Sequence, residues 1–192
     1  MFKKKLILTA LIAGAALPAF AVVEKYAIDP MHTYPSLEFS HMGISVWRGK
    51  FDKTRGNITL DRAAKTGTVD VVVDVGSIDF GLAAMDDKAR SDDFFNVAKY
   101  PTATYKGTIK FVGDTPKTVE GTITLMGVTR PVTLSINSMK CIPHPLLKKE
   151  LCGADAEGEL NWSEYGMKSS KYGEGEAGRV HLRIQVEALK QD

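Results

Sequence analysis

The segment 180–188, VHLRIQVEA, decides the fold of this chain. Apolar residues occupy every second position of it: Val180, Leu182, Ile184, Val186 and Ala188. Because side chains alternate between the two faces of a β-strand, these five residues share one face and the polar residues between them share the other. The segment therefore predicts a strand with one buried face and one hydrated face.

The same spacing of two recurs along most of the chain after residue 55. Runs of alternating apolar residues cover 56–61, 68–75, 102–112, 118–125, 131–139 and 156–162. Glycine, proline and aspartate separate several of these runs, which is typical of turns. About eight short strands at this spacing predict an all-β protein, either an antiparallel sandwich or a closed barrel. The periodicity does not separate the two architectures.

Only one segment has helical spacing. Within 82–90, Leu82, Met85 and Ala89 fall on one face, and the charged residues lie mostly elsewhere. This spacing predicts one short helix.

The tract 168–178, rich in glycine, serine and lysine, predicts either a mobile loop near the mouth of the sheet or a solvated connector.

The first 21 residues have the features of a cleavable secretory signal. Lysines at 3–5 precede the apolar run 6–17, and the small residues Ala19 and Ala21 suit a signal peptidase. We expect residues 22–192 to form one exported domain. No later run is apolar and long enough for a membrane helix, so we expect no integral membrane segment.

The charge balance argues against a nucleic-acid partner. The chain has 25 lysines and arginines against 23 acidic residues, and without segment 1–21 the balance is 22 against 23. A near-neutral mature chain lacks the electrostatic attraction on which nucleic-acid binding depends. We therefore expect no nucleic-acid partner.

Export also governs the interpretation of the two cysteines, Cys141 and Cys152. In an oxidising compartment an even number of cysteines favours a disulfide, here one that tethers a protruding loop. Two alternatives stay open, a metal site formed with His144 and a pair of free thiols. The metal site lacks a fourth ligand nearby and its spacing matches no common zinc pattern, so we expect no bound metal.

Aromatic and methionine residues are concentrated in the predicted loops and turns, where a packed sandwich has less use for them. A closed sheet of about eight strands either fills its interior with side chains or holds one small apolar ligand. Polarizable side chains line adaptable apolar pockets, although each is also compatible with an ordinary core. Our candidates for ligand contact are Phe39, Trp47, Phe80, Met85, Phe94, Tyr105, Met126, Trp162, Leu182 and Ile184.

A set of short segments resembles, in order, the YceI family of bacterial exported lipid-binding proteins. The segments are DPMHT (29–33), LEFSHMGIS (37–45), RGKF (48–51), SID (77–79), SDDFFN (91–96), KYP (99–101), GTITL (121–125), GVTRPV (127–132), Asn161 and SEYGM (163–167). Each segment is weak alone, but together they are specific and cover essentially all of 24–189. The two cysteines are similar to those of a periplasmic subset of the family.

The resemblance implies an extended, lipocalin-like, eight-stranded antiparallel barrel with a short helix covering one end. Its elongated apolar cavity would hold one long-chain amphiphile, such as a polyisoprenoid, an isoprenoid quinone or a fatty amide. No catalytic activity is established for the family as a class. The resemblance thus implies a periplasmic binding protein with no cofactor besides bound lipid. Both a monomer and a homodimer are compatible with the sequence.

The chain departs from the family's pattern at four positions. Met85 and Lys88 stand where an arginine and a histidine are usual. Met126 stands where a charged or aromatic residue is usual, and Trp162 where an arginine is usual. Three of these four changes remove a polar or cationic group. We therefore expect a more apolar site, which favours a neutral quinone, a lipid amide or an uncharged prenyl chain over a phosphate.

Two other classes of function compete with lipid binding. An enzyme needs placed acid, base or nucleophile groups, and the candidates are His32, His41, Asp86 and Asp93. The sequence has no Gly-x-Ser-x-Gly elbow, phosphate loop or His-Glu-x-x-His pair, so we expect no enzymatic activity. The other class is a structural, interaction or stress-response protein with a filled barrel, which acts through surface loops such as 141–152.

Overall fold

The computed structural model describes residues 22–167 and 178–192, with eleven strands and one α-helix in these ranges. The strands are β1 Glu24–Ile28, β2 Tyr34–His41, β3 Ser45–Phe51, β4 Thr54–Asp61, β5 Thr66–Asp74, β6 Ile78–Asp79, β7 Thr102–Val112, β8 Thr115–Leu125, β9 Val128–Pro143, β10 Glu150–Asn161 and β11 Arg179–Lys190. The helix α1 is Ala83–Arg90, and no helix in the described ranges is long and apolar enough to cross a bilayer. The predicted signal segment, and all but the last residue of the predicted loop 168–178, lie outside the described residues.

Eight of the strands close into a ring. Their order is β1-β4-β5-β7-β8-β9-β10-β11, neighbours run antiparallel, and β11 pairs back to β1. Closure depends on the short β1, because Tyr26 pairs with Ile58 on one side and with Lys190 on the other. The expected all-β fold is confirmed, and of the two architectures the closed eight-stranded barrel is the one observed.

Strand β11 pairs with two different strands along one of its edges. Its C-terminal part pairs with β1, where Ala188 lies opposite Ile28, and its N-terminal part pairs with β2, where Val180 lies opposite Phe39. Strand β2 forms a hairpin with β3, and β3 pairs with the short β6. The barrel therefore has two ends that are built differently, one from β1 and one from the β2–β3 hairpin.

The alternation predicted for β11 is confirmed. All five apolar residues of the segment 180–188 face the barrel interior. Val180 and Ala188 are buried, whereas Leu182, Ile184 and Val186 are only half-buried. Partial exposure of residues on an inward face means that they border an internal space instead of packing fully against other side chains.

A β-bulge in β9 changes which of its residues face the interior. Ile136 pairs with Ala156 and Ser138 pairs with Asp155, so that Asn137 has no partner of its own in the ladder. One extra residue reverses the alternation that follows it. Ile136 and Met139 consequently both line the interior, although they are three positions apart.

Cys141 and Cys152 are bonded to each other and are direct cross-strand partners in β9 and β10. The ladder continues beyond them to the pair formed by Pro143 and Glu150, and the hairpin loop comprises residues 144–149. The bond thus lies inside the ladder, and two residue pairs separate it from the loop that we expected it to tether. It joins β9 and β10, which form one hairpin of the closed ring.

We expect the double substitution Cys141→Ser/Cys152→Ser to lower the free energy of unfolding by about 3 kcal/mol, because the unfolded chain regains the entropy of an open loop. Urea denaturation of the oxidised protein would measure the loss. Adding a reductant should lower the stability of the wild type by a similar amount and leave the double variant unchanged. Equal stability of the oxidised wild type and the variant would contradict the prediction.

Candidate functional site

The barrel encloses an elongated cavity of about 900 Å³. Every strand of the closed ring contributes residues to its wall. On β11 the wall runs from Val180 to Ala188, a length of about 26 Å at roughly 3.3 Å per residue. The interior is therefore not filled by the protein's own side chains, and a barrel with a solid core does not describe this chain.

One end of the barrel, which we call the polar end, carries Tyr26, Arg62, Glu150, Glu24 and Lys190. The buried Tyr26 ring lines the cavity, while its hydroxyl donates a hydrogen bond to Glu150. Arg62 donates a hydrogen bond to Glu150 at 3.0 Å and forms an ion pair with Glu24, which also pairs with Lys190. Burial, followed by the hydrogen bond to Glu150, raises the pKa of Tyr26, so its hydroxyl stays protonated. Charges at this end are thus matched within the protein.

The opposite end, which we call the aromatic end, is built from Phe39, Trp47, Phe80, Phe94 and Trp162, all of which line the cavity. The Phe39 ring is central, with its centroid 5.9 Å from that of Trp47 and 5.0 Å from that of Trp162. Phe80 lies edge-on to Phe39 at 6.1 Å, and Phe94 contacts Trp162 at 6.5 Å. Tilted and edge-on pairs of this kind stabilise a cluster beyond the burial of its area.

The register of β2 with β3 and the glycine at position 49 determine where the rings of the aromatic end lie. Phe39 on β2 and Trp47 on β3 are direct cross-strand partners, which places both rings on the inner face of the hairpin. Gly49 leaves room for Phe80, because a Cβ atom at position 49 would lie 2.7 Å from the Phe80 ring. The local sequence therefore packs Phe80 directly against the backbone of β3.

Lys88 is the one lysine or arginine that lines the cavity in the described part of the chain. Its ammonium group donates a hydrogen bond to the Asp93 carboxylate at 2.6 Å and lies 5.5 Å from the centre of the Phe94 ring. A carboxylate and a ring face both stabilise a cation. The positive charge on the cavity wall is therefore compensated by the protein itself.

The four residues considered as enzyme candidates each have a separate structural partner. His32 lies in the turn before β2 and pairs with Asp29 at 2.7 Å, a contact that raises the pKa of His32. The ring of His41 stacks on Trp47, with centroids 3.9 Å apart. Asp86 accepts a hydrogen bond from the Phe80 amide at 2.7 Å, and Asp93 binds Lys88. These contacts do not join the four into one catalytic arrangement.

Tyr105 crosses the inner surface of β8. Its hydroxyl lies 3.0 Å from the carbonyl oxygens of both Val119 and Val132 and donates to this pair of acceptors. Gly121 makes the crossing feasible, because a Cβ atom there would lie 2.7 Å from the Tyr105 ring. Burial raises the pKa of Tyr105 to about 12, so the hydroxyl remains a donor at neutral pH. Tyr105 thus offers its ring, and not a free hydroxyl, to the cavity.

Nine of the ten residues predicted for ligand contact lie at the cavity wall. These are Phe39, Trp47, Phe80, Met85, Phe94, Tyr105, Trp162, Leu182 and Ile184. Met126 is the exception: it occupies the turn between β8 and β9 with φ 51°, packs against a buried cluster that includes Leu125, and does not itself line the cavity. Met126 directly follows Leu125, whose side chain lines the cavity, so the alternation of β8 itself directs position 126 away from the interior. Contact of these residues with a ligand stays a prediction.

The sequence-based selection passed over small and β-branched residues of the wall. Val69, Val71 and Val73 line the cavity from β5, and Ala103 and Ala156 do so from β7 and β10. The alternation of the valines is visible in the sequence and would have identified them. The alanines carry no such signal, because a small residue is compatible with either face of a strand.

Two groups of residues in the described ranges bring three metal-ligating side chains together. One contains Cys141, Cys152 and Glu150, but the two sulfurs are bonded to each other and so offer no thiolate. The other contains His32 with two carboxylates on the outer surface. His144, considered as a ligand beside the cysteines, accepts hydrogen bonds from the backbone of its own loop. The absence of a bound metal stays a prediction.

A closed antiparallel barrel around an elongated apolar cavity defines a lipocalin-like binding fold. The sequence model of a family described as "YceI-like domain" matches residues 26–188 of this chain. A UPF0312 protein of Vibrio parahaemolyticus is 38% identical over 136 residues, which cover 69% of this chain and 72% of that protein. The chain belongs to the YceI family.

Solved structures agree with this assignment. The YCEI protein of Campylobacter jejuni superposes with a TM-score of 0.65 at 26% identity and covers 80% of this chain and 91% of its own. A polyisoprenoid binding domain from Saccharophagus degradans superposes with a TM-score of 0.60 at 14% identity, over 86% of this chain and 98% of its own. The second likeness concerns the fold alone.

We expect Tyr105→Phe to cost about 1 kcal/mol of unfolding free energy at neutral pH, because one buried hydrogen bond is lost. The variant should also be less sensitive to alkali than the wild type. The pKa of Tyr105 is about 12 in the folded protein and about 10 in the unfolded chain, so the unfolded chain ionises first and stability falls as pH rises between these values. Urea unfolding at neutral and alkaline pH would measure both effects, and identical alkaline losses in the two proteins would contradict the assignment.

Proposed function

We propose that this protein binds one long-chain, isoprenoid-like amphiphile inside the barrel and keeps its apolar chain away from water. The cavity of about 900 Å³, with one compensated cation on its described wall, is the observation that carries the proposal. Membership of the YceI family supports it, as does the likeness in fold to a domain named for polyisoprenoid binding. The ligands that we consider are a polyisoprenoid, an isoprenoid quinone and a fatty amide.

Burial of apolar surface would supply most of the binding energy. A chain that buries about 400 Å² gains roughly 10 kcal/mol before ordering costs are subtracted, at about 25 cal/mol per Å². Aliphatic side chains such as Val71, Leu134 and Ile184 form much of the wall and make no directed bonds. The barrel would therefore select its ligand by length and width, and a linear chain suits the elongated cavity.

The head group of the ligand would lie at the aromatic end. Ser40, His41 and Lys88 are the polar lining residues on β2 and α1 that lie there. Because Asp93 already compensates Lys88, a phosphate would find no unpaired cation among the described lining residues. The arrangement supports a neutral head group, as the replacements Met85 and Trp162 also suggest.

Binding, and not catalysis, suits the chemistry of the wall. Three side chains of the wall that are capable of acid, base or nucleophilic chemistry are engaged in structural contacts: Cys152 in a disulfide, Tyr105 with backbone carbonyls and Lys88 with Asp93. We further propose that the protein works in the periplasm, where it carries its ligand between membranes or stores it. The signal-like segment 1–21 and the disulfide support export.

Filling the cavity tests the proposal directly. We expect Leu182→Trp to reduce the lipid that co-purifies with the protein at least about tenfold, because the indole occupies the path of the chain. His181→Trp is the matched control, since His181 is the next residue of β11 and lies on the opposite, outer face, paired with Glu159. Mass spectrometry of extracted lipid measures the outcome, and circular dichroism verifies the fold. Unchanged lipid content in a folded Leu182→Trp protein would refute the proposal.

The head-group preference is tested separately. Lipid extracted from protein purified from its native host should be mainly neutral, and recovery mainly of polyprenyl phosphate would refute this preference. Offered equal amounts of a polyprenyl alcohol and its phosphate, Asp93→Asn should shift towards the phosphate by roughly threefold to tenfold, because Lys88 loses its counter-ion. Asp87→Asn, which removes the same charge from a carboxylate paired with Arg90, should leave the ratio unchanged.

A further inference from the structure

The tip of the β2–β3 hairpin is apolar and exposed. Residues 41–47, HMGISVW, include no aspartate, glutamate, lysine or arginine, although a quarter of the chain is charged. Met42, Ile44 and Val46 are 74%, 81% and 49% exposed. Surface apolar residues are usually scattered singly, and a contiguous group on one tip indicates a contact surface.

This tip is continuous with the cavity wall. His41, Met42, Gly43 and Trp47 all line the cavity. The Trp47 ring also contacts Phe39 deeper in the aromatic end, 5.9 Å between centroids. Met42 is thus both exposed and part of the cavity wall, and it connects the exposed hairpin with the barrel interior, as a route for an apolar chain requires.

The backbone of the turn holds an apolar side chain in an unfavourable conformation. Met42 has φ 56° and Gly43 has φ 74°, both in the left-handed region. Glycine adopts this conformation freely, but a bulky residue such as methionine does so at a conformational cost. Asparagine or glycine would suit position 42 better for stability alone. A strained, exposed methionine at the mouth of a cavity is consistent with selection for contact.

We propose that the β2–β3 hairpin tip inserts into the interface of a lipid bilayer and that the ligand passes along it between the membrane and the cavity. The proposal rests on the proposed function in one respect, that the cavity ligand is a membrane lipid. An uncharged apolar tip with a tryptophan beside it suits the interfacial zone of a bilayer of any surface charge. Binding should therefore be insensitive to ionic strength.

The other exposed apolar tip of the barrel provides a control. Leu146 and Leu147, 84% and 55% exposed, lie in the β9–β10 loop beside Lys148 and Lys149. This loop is at the polar end, because Leu151 at the start of β10 pairs with Leu189 whereas Phe39 of β2 pairs with Val180. The nine residue steps from Val180 to Leu189 separate these two pairings by about 30 Å along β11.

Two double variants test the proposal. Ile44→Ser/Val46→Ser changes the hairpin tip at residues outside the cavity wall, and Leu146→Ser/Leu147→Ser makes the equivalent change at the polar end. We expect the wild type to float with phosphatidylcholine vesicles at low and high ionic strength, and the first variant to lose this binding about tenfold or more. The same variant should extract a polyprenyl alcohol more slowly from vesicles. The second variant should behave as the wild type in both assays.

Uptake of the polyprenyl alcohol from detergent micelles separates this proposal from the proposed function. Normal uptake from micelles by all three proteins, with slow extraction from vesicles only for Ile44→Ser/Val46→Ser, supports the docking proposal. Failure of the wild type to take up the alcohol from micelles counts against the proposed function, while vesicle flotation still reports on docking. Absence of wild-type flotation, loss of flotation in the Leu146/Leu147 variant instead, or binding confined to anionic vesicles at low salt would each overturn the docking proposal.

Discussion

Closure of the β-ring through β1 is the constraint on which the rest of the structure depends. This strand has only five residues, yet it pairs with β4 on one side and β11 on the other. An open sheet of this length would leave two edges of unpaired backbone groups and would need a second layer to cover its apolar face. Closure pairs the backbone groups of neighbouring strands all around the ring. The apolar residues of all eight strands then share one inner face, which needs no second layer to cover it.

The charges of the protein are distributed so that the interior stays apolar. At the polar end, Arg62 and Glu150 bind each other beside the buried Tyr26, and at the aromatic end Lys88 binds Asp93. Charges that are matched locally do not have to be matched by a ligand. The wall between the two ends thus offers mainly apolar contact, and the proposed route of entry lies at the aromatic end with its exposed hairpin.

The sequence predicts much of the architecture, and the elements that it does not predict have identifiable physical causes. The run 102–112 coincides with β7, and the helix begins within one residue of its predicted start. Strand β3 escaped detection by alternation, because it has apolar residues on both faces: Trp47 lines the cavity while Val46 is exposed. Met126 does not line the cavity, because it follows the inward-facing Leu125 and so falls on the opposite face.

The sequence by itself determined which residues share a strand face, where the one helix of the described ranges lies and which family pattern the chain follows. These are local properties, since alternation with a period of two depends only on residues that are close in sequence. Only the tertiary structure decided that the sheet closes, that the shared face of 180–188 points inward and that the bulge at Asn137 brings Met139 to the wall. Closure, register and internal volume depend on pairings between residues far apart in the chain, such as Tyr26 with Lys190, and no local pattern encodes them.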